Sequence, residues 1–194
     1  MCQFLESICC IDGKIQNLEL HQGRVDNTFD KYFNSKSITL GESLIEIPKI
    51  GKYKCRIVYT AQIESLDFLP YKSKDIKSLK IIEMDNIDYA YKFLDRKSLD
   101  NAFLKKGVAD DIIISKEGFV TDAYFANLVF FDGDKWYTPV NPLLKGTKRE
   151  LLISSNTIIE KDIRTQDIQQ YKKVSLINAM LDLSEVEIDT NCIY

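Results

Sequence analysis

The stretch Gly118-Phe119-Val120-Thr121-Asp122-Ala123-Tyr124-Phe125-Ala126-Asn127 decides how this chain is read. It opens on the dipeptide Glu117-Gly118, and the apolar run that it leads into, through Phe131, closes on Asp132-Gly133. Dipeptides of this kind tolerate the positive φ that tight hairpins require. With Ile112-Ile113-Ile114 before it and Trp136-Tyr137 after it, the pattern over residues 110–138 predicts an antiparallel meander. Inside the meander sits one carboxylate, Asp122, and about a strand upstream lies Tyr91-Lys92-Phe93-Leu94-Asp95-Arg96. Residues 91–106 read as an amphipathic helix that Lys92 opens, with Phe93, Leu94, Leu99, Phe103 and Leu104 on its apolar face and Gly107 as its stop. A lysine amine and a sheltered carboxylate suit a cofactor needing both a Schiff-base partner and a buried anion. Taken alone, Lys92 reads first as one of many surface lysines, and Asp122 equally as part of an exposed Thr-Asp turn.

The rest of the chain alternates in kind. Residues 4–11 and 14–20 are strand-like runs flanking Asp12-Gly13, a hairpin signal. A helix follows over 21–33, with Val25, Phe29, Tyr32 and Phe33 at helical spacing, and β-rich composition returns at 54–60 and 78–85. After the meander come a helix over 146–154, a strand at 158–164, a short helix at 165–171 and a strand at 174–180. Gly41, Pro48, Gly51 and Pro70 punctuate the loops.

Bulk properties exclude several classes. The 194 residues are 45% apolar, enough for a sizeable core. A net charge of −3 from interleaved Asp, Glu and Lys leaves no basic stripe for nucleic acid, so a small metabolite is the expected partner. No apolar run reaches the length of a membrane span and the first residues are not leader-like, which predicts a cytoplasmic protein. Five cysteines, at 2, 9, 10, 55 and 192, contain no Cys-x-x-Cys pair; they predict reduced thiols and no metal site, with Cys9 and Cys10 on opposite sides of one strand.

Together with Trp136-Tyr137-Thr138-Pro139, Leu144-Lys145-Gly146-Thr147-Lys148-Arg149 and Leu176-Ile177-Asn178-Ala179-Met180, the two opening segments resemble the class IV (branched-chain/D-amino-acid aminotransferase) family of pyridoxal-phosphate enzymes over nearly the whole chain. The Lys-x-Leu-x-Arg pattern from Lys92 to Arg96 and the late Asn-Ala-Met are most similar to a short aminodeoxychorismate lyase. The resemblance implies an α+β fold with a small α+β N-terminal lobe (residues 1–77) and a larger, β-rich, cofactor-binding lobe (78–194). It implies Lys92 as the amine that bonds the cofactor and then serves as base. Asp122 becomes the partner of the pyridine nitrogen, where relatives usually carry glutamate. Arg24, the Gly146-Thr147 amides and the Asn178-Ala179 loop become the phosphate site, a sound combination because guanidinium and helix-start amides both attract anions.

By the same resemblance His21 is structural, and Ser7 is a second catalytic candidate where lyases carry threonine. Arg56 and Tyr59 stand on the substrate side. Lys97 replaces a tyrosine that branched-chain enzymes bond to the cofactor, which argues against that specificity. The implied activity is that of a 4-amino-4-deoxychorismate lyase for folate synthesis, working as a homodimer on a small-molecule amine. The alternatives are a class IV amino-acid aminotransferase, for branched-chain or D-amino acids, and a noncatalytic cofactor-binding relative.

Overall fold

A computed structural model describes residues 2–194 and divides them into two compact units. The first contains the chain through Ser73 together with Tyr91–Asp95; the second contains Lys74–Ala90 and Arg96–Tyr194. Helices and sheets pack side by side rather than in a strict alternation, so the fold is α+β.

The first unit opens with the predicted hairpin. Strands β1 (Phe4–Ile11) and β2 (Lys14–Ile15) join through Asp12 at φ 48 and Gly13 at φ 78. Helix α1 (Leu18–Tyr32) follows, then the one-turn α2 (Leu40–Ser43) and strands β3 (Lys52–Tyr59) and β4 (Ile63–Pro70). The antiparallel sheet runs β2-β1-β3-β4, with Phe4 opposite Tyr59 and Ser7 opposite Arg56. Alternation along β1 sends Phe4, Glu6 and Ile8 to one face. On that face α1 lays the stripe His21, Val25, Thr28 and Phe29, and the core forms from Phe4, Ile8, Val25, Phe29, Leu40, Cys55, Ile57 and Tyr59. Each large apolar side chain buried here contributes about 1.5–3 kcal/mol. Cys9 and Cys10 are both buried, and all five cysteines are free thiols.

The helix expected over 91–106 begins only at Lys97. Residues 91–94 instead run past the edge of β1, with bends at Tyr91 and Leu94 and a single bridge at Phe93. Phe93 bridges Phe4, flanked by Leu5 N–H donating to the Lys92 carbonyl at 2.9 Å and Leu94 N–H donating to the Gln3 carbonyl at 2.9 Å. The reason is aromatic. Tyr91 and Phe93, two residues apart, both face Tyr32, and Phe93 also meets Phe4 with ring centroids 5.1 Å apart. A period of two is a strand signal, and tertiary packing favours it over the helical reading.

In the second unit β5 (Leu79–Glu83) precedes α3 (Lys97–Phe103), which ends in a 3-10 turn and Gly107 at φ 62. The predicted meander is present as β6 (Asp111–Lys116), β7 (Phe119–Ala123), β8 (Asn127–Phe131) and β9 (Trp136–Pro139), each antiparallel to the next. Helix α4 (Thr147–Ser154), β10 (Ile159–Lys161), a 3-10 turn over Thr165–Gln170, β11 (Lys173–Ile177) and β12 (Glu187–Asp189) complete the unit. The sheet runs β10-β9-β8-β7-β6-β5, with β11 pairing β8 and β12 pairing β11. Two of its ladders, β5 with β6 and β9 with β10, are parallel, and the strand patterns did not foretell them; nor did they foretell β4 and β12. Among the described residues no helix is long and apolar enough to cross a membrane.

Candidate functional site

The candidate residues fall into two sets, one in each unit. The first unit holds Lys92, Ser7 and Arg56. Phe93 opposes Phe4 on the core face of the sheet, Lys92 precedes it with its carbonyl accepting from Leu5 N–H, and Ser7 and its cross-strand neighbour Arg56 lie on the other face of the sheet.

Arg24 and Tyr59 lie on the opposite, core face. Glu6, fully buried on β1, is the hub there: Arg24 donates Nε–H to its Oε1 at 2.8 Å and Nη2–H to its Oε2 at 2.6 Å, while His21 Nδ1 lies 2.6 Å from Oε2. Burial alone would raise the Glu6 pKa. The adjacent Arg24 charge and the His21 and Arg24 hydrogen bonds more than reverse this, bringing it down to about 2. Arg24 is thus held in a bidentate pair, a geometry that fixes a guanidinium in orientation as well as position. His21, structural by expectation, is one wall of this cluster.

Tyr59, expected on the substrate side, is a core residue. Its ring packs at 5.7 Å from Phe4 and 6.2 Å from Phe29, and its hydroxyl, bonded to Thr28, is pushed up to about 12 by burial. Arg56 lies on the other face of the sheet.

The second unit holds Asp122, Gly146, Thr147, Asn178 and Ala179. Asp122 is the penultimate residue of β7 and Asn127 starts β8, and the bend over residues 124–126 lets the two become direct cross-strand partners. Asn127 Nδ2 donates to Asp122 Oδ1 at 2.6 Å and to the Leu144 carbonyl at 2.8 Å; Leu144 N–H donates to Asp122 Oδ2 at 2.8 Å. Burial pushes the Asp122 carboxyl up to about 7, although the Leu144 and Asn127 hydrogen bonds and the more distant Arg149 charge act against it. Among the described residues no cationic side chain is paired with it.

Two residues after Leu144, Gly146 caps α4. A Cβ there would lie 2.0 Å from Asn127 Oδ1, so only glycine allows this approach. No side chain caps the start of α4, and Thr147 is its first residue. The third residue of the helix, Arg149, is buried and donates to the Pro139 carbonyl at 2.8 Å and to Glu160 at 2.5 Å, pinning this turn to β9 and β10.

Asn178, expected as part of the phosphate loop, is committed to its own turn. Its Oδ1 accepts from Met180 N–H at 2.8 Å and Leu181 N–H at 3.1 Å, and its Nδ2 donates to the Phe125 carbonyl at 3.3 Å. Ala179 is half-buried within the same turn. The Asp122–Asn127 turn is held from a second side by Arg96, which donates to the Tyr124 carbonyl at 2.5 Å with its guanidinium 4.6 Å from the Tyr124 ring.

Sequence reading passed over Glu6 and Asn127, and both left signals. Phe4-x-Glu6-x-Ile8 puts a carboxylate on an apolar-face period, which demands a buried partner, and His21 with Arg24 supplies it one helical turn apart. Asp122 and Asn127 flank a four-residue Ala-Tyr-Phe-Ala segment, a length that sets them opposite each other.

Comparisons with known proteins agree with this architecture. The class IV amino-transferase family profile matches residues 3–187. An uncharacterized protein of Haemophilus influenzae is 36% identical over 185 residues, which span 93% of this chain and 98% of that one. The crystal structure of a candidate 4-amino-4-deoxychorismate lyase from Haemophilus somnus superposes with a TM-score of 0.89 at 32% identity, covering 94% of this chain and 98% of its own. A candidate amino-acid aminotransferase from Mesorhizobium loti shares the fold at 16% identity, with a TM-score of 0.83 and full coverage of both chains. A hypothetical aminotransferase from Mycobacterium tuberculosis in its PLP-bound form does so at 14% identity, with a TM-score of 0.78 over 99% of this chain and 81% of its own. With the family profile spanning nearly all of its length, this chain belongs to the class IV aminotransferase family.

Proposed function

We propose that this protein is a pyridoxal-phosphate-dependent 4-amino-4-deoxychorismate lyase that releases pyruvate and 4-aminobenzoate. The observation that carries the reading is Asp122: a buried carboxylate, held by neutral donors from Leu143, Leu144 and Asn127, with no cation paired to it among the described residues. A protonated ring nitrogen is the charge such a group lacks. Each carboxylate oxygen can accept more than one hydrogen bond, so Asp122 has capacity left after Asn127 and Leu144. The residue is one methylene shorter than the usual glutamate and keeps its carboxylate.

Within the second unit, the Gly146-Thr147 amides at the start of α4 suit a phosphate. Arg24, bidentately held by Glu6 in the first unit, is the guanidinium that the family resemblance assigns to the same anion. Bound there, pyridoxal phosphate supplies an aldehyde for amines and a cationic ring that draws electrons from the reacting carbon. Lys92 would be the residue that holds the aldehyde, and its amine would be the base for the ring C–H proton of the substrate. The bond from the ring to the enolpyruvyl oxygen then breaks, the ring becomes aromatic, and the departing three-carbon unit takes up a proton to become pyruvate. Ser7 is the candidate to relay that proton, and Arg56, its cross-strand neighbour, is the candidate cation for a substrate carboxylate.

The lyase reading is supported over transamination by likeness to the Haemophilus somnus protein across nearly both chains. An aminotransferase acting on amino acids is the second reading, favoured by the family description. One experiment separates them: purified protein is given enzymatically generated aminodeoxychorismate in one tube, and alanine with 2-oxoglutarate in another. The lyase reading expects 4-aminobenzoate in the first and no glutamate in the second; the reverse result overturns it. We further expect a homodimer, the commonest soluble assembly. An active, cofactor-loaded species sedimenting at 22.4 kDa would refute that.

A further inference from the structure

We propose that Asn127 is a positioning residue that sets both ends of the cofactor site with one side chain, an inference that rests on the functional reading above. Asn127 is 6% exposed, and its carboxamide does three things at once. Its Nδ2 orients the Asp122 carboxylate at 2.6 Å and fastens the Leu144 carbonyl at 2.8 Å, while its Oδ1 occupies the space a Gly146 side chain would fill. Leu144 closes the loop by donating its N–H back to Asp122 at 2.8 Å. The group assigned to the ring nitrogen and the turn assigned to the phosphate are thereby built on a shared hydrogen-bond frame.

A residue with only a local packing role would touch one of these features. Here the carboxylate angle, the loop backbone and the first amides of α4 move together if the carboxamide is lost. Charge matters as much as shape: a second carboxylate in this position would face Asp122 directly and would have no N–H for the Leu144 carbonyl. The Leu144 and Leu143 backbone N–H groups, the Asn127 amide and the Arg149 charge act on Asp122, so the change at Asn127 removes one stabilising donor and adds one repulsive charge.

The test uses the full chain as parent, N127A and the near-isosteric N127D. Three probes are titrated: pyridoxal phosphate, pyridoxal (the ring end alone) and inorganic phosphate (the anion end alone, as a competitor). In parallel the Asp122 carboxyl is titrated by carbon-13 NMR in the cofactor-free proteins, with Asp122→Asn identifying its signal. N127A is expected to weaken each probe by about ten- to a hundredfold, the scale of one lost hydrogen bond to a charged group. N127D is expected to raise the pH at which Asp122 ionises by at least about one unit.

Parent-like affinity of N127A for either pyridoxal or inorganic phosphate overturns the shared role, and so does an unshifted Asp122 titration in N127D. If N127A fails to fold, N127D, which preserves volume, carries both measurements. Failure of the parent itself to take up pyridoxal phosphate would overturn the functional reading instead, while the cofactor-free titration still decides whether Asn127 governs Asp122.

Discussion

Two buried carboxylates, one in each unit, have opposite fates. Glu6 on β1 and Asp122 on β7 are both enclosed on strands and both make short hydrogen bonds. Glu6 is paired with Arg24 and His21 and falls to about 2; Asp122 has only neutral donors bonded to it and rises to about 7. Burial is common to the two, so it cannot be what separates them. The deciding difference is a bonded cation, which repays the desolvation of the charged form. Glu6 is a completed structural joint, whereas Asp122 keeps a demand for positive charge that a ligand can meet.

The contrast can be broken in four places. The largest effect is expected outside both carboxylates, at the amine that anchors the cofactor: Lys92→Ala should leave no cofactor covalently fixed after borohydride reduction, read by intact mass. Retention of the reduced adduct would move that role to another lysine.

Next is Asp122→Asn. A neutral amide cannot hold a ring proton by charge, so cofactor should still bind while turnover falls by at least about tenfold, one pK unit's worth of differential interaction. Asp122→Glu should be better tolerated. Undiminished turnover in the Asn variant would place the nitrogen partner elsewhere.

Glu6→Gln tests the closed joint. Removing one partner of a buried ion pair costs about 3–5 kcal/mol, because the other charge remains. Urea unfolding should register that loss, together with weaker pyridoxal-phosphate binding through a loosened Arg24. A variant as stable as the parent would show that the Glu6 pair contributes nothing net.

The smallest effect is in pH dependence, and the two sites slope oppositely. A carboxyl lowered from 4.5 to about 2 stabilises the fold above pH 4.5, and this contribution is lost as pH falls towards 2. One raised from 3.8 to about 7 stabilises below 3.8 and loses that contribution as pH climbs to about 7. Cofactor-free parent should therefore lose stability relative to Asp122→Asn across that upper window, by at most about 1.4 kcal/mol per pH unit. Parallel stability curves for the two would contradict a raised Asp122.

Legibility in the sequence followed the range of the interactions. The opening hairpin was readable because Asp12-Gly13 encodes its turn locally, and the meander because Glu117-Gly118 and Asp132-Gly133 do the same. The stop at Gly107 was equally local. Lys92 was found as a residue, but its conformation was misread: an apparent helical face was outweighed by Tyr91 and Phe93 reaching Tyr32 and Phe4, partners far away in the chain. Tyr59 looked available for substrate because its position on β3 says nothing of which face α1 covers.

What the sequence by itself determined, then, is the kind of chemistry: a lysine, a sheltered carboxylate, an arginine and a glycine-opened helix, in an order that resembles one family. Periodicity and turn residues act over a few positions, so they are written directly in the chain. Tertiary structure alone decided the state of each group. It drew the Lys92 segment against the edge of β1, closed Arg24 onto Glu6, and joined Asp122 to Gly146 through Asn127. The physical reason is that protonation and orientation depend on desolvation and on partners within a few ångströms, and those partners come from segments that meet only when the chain folds.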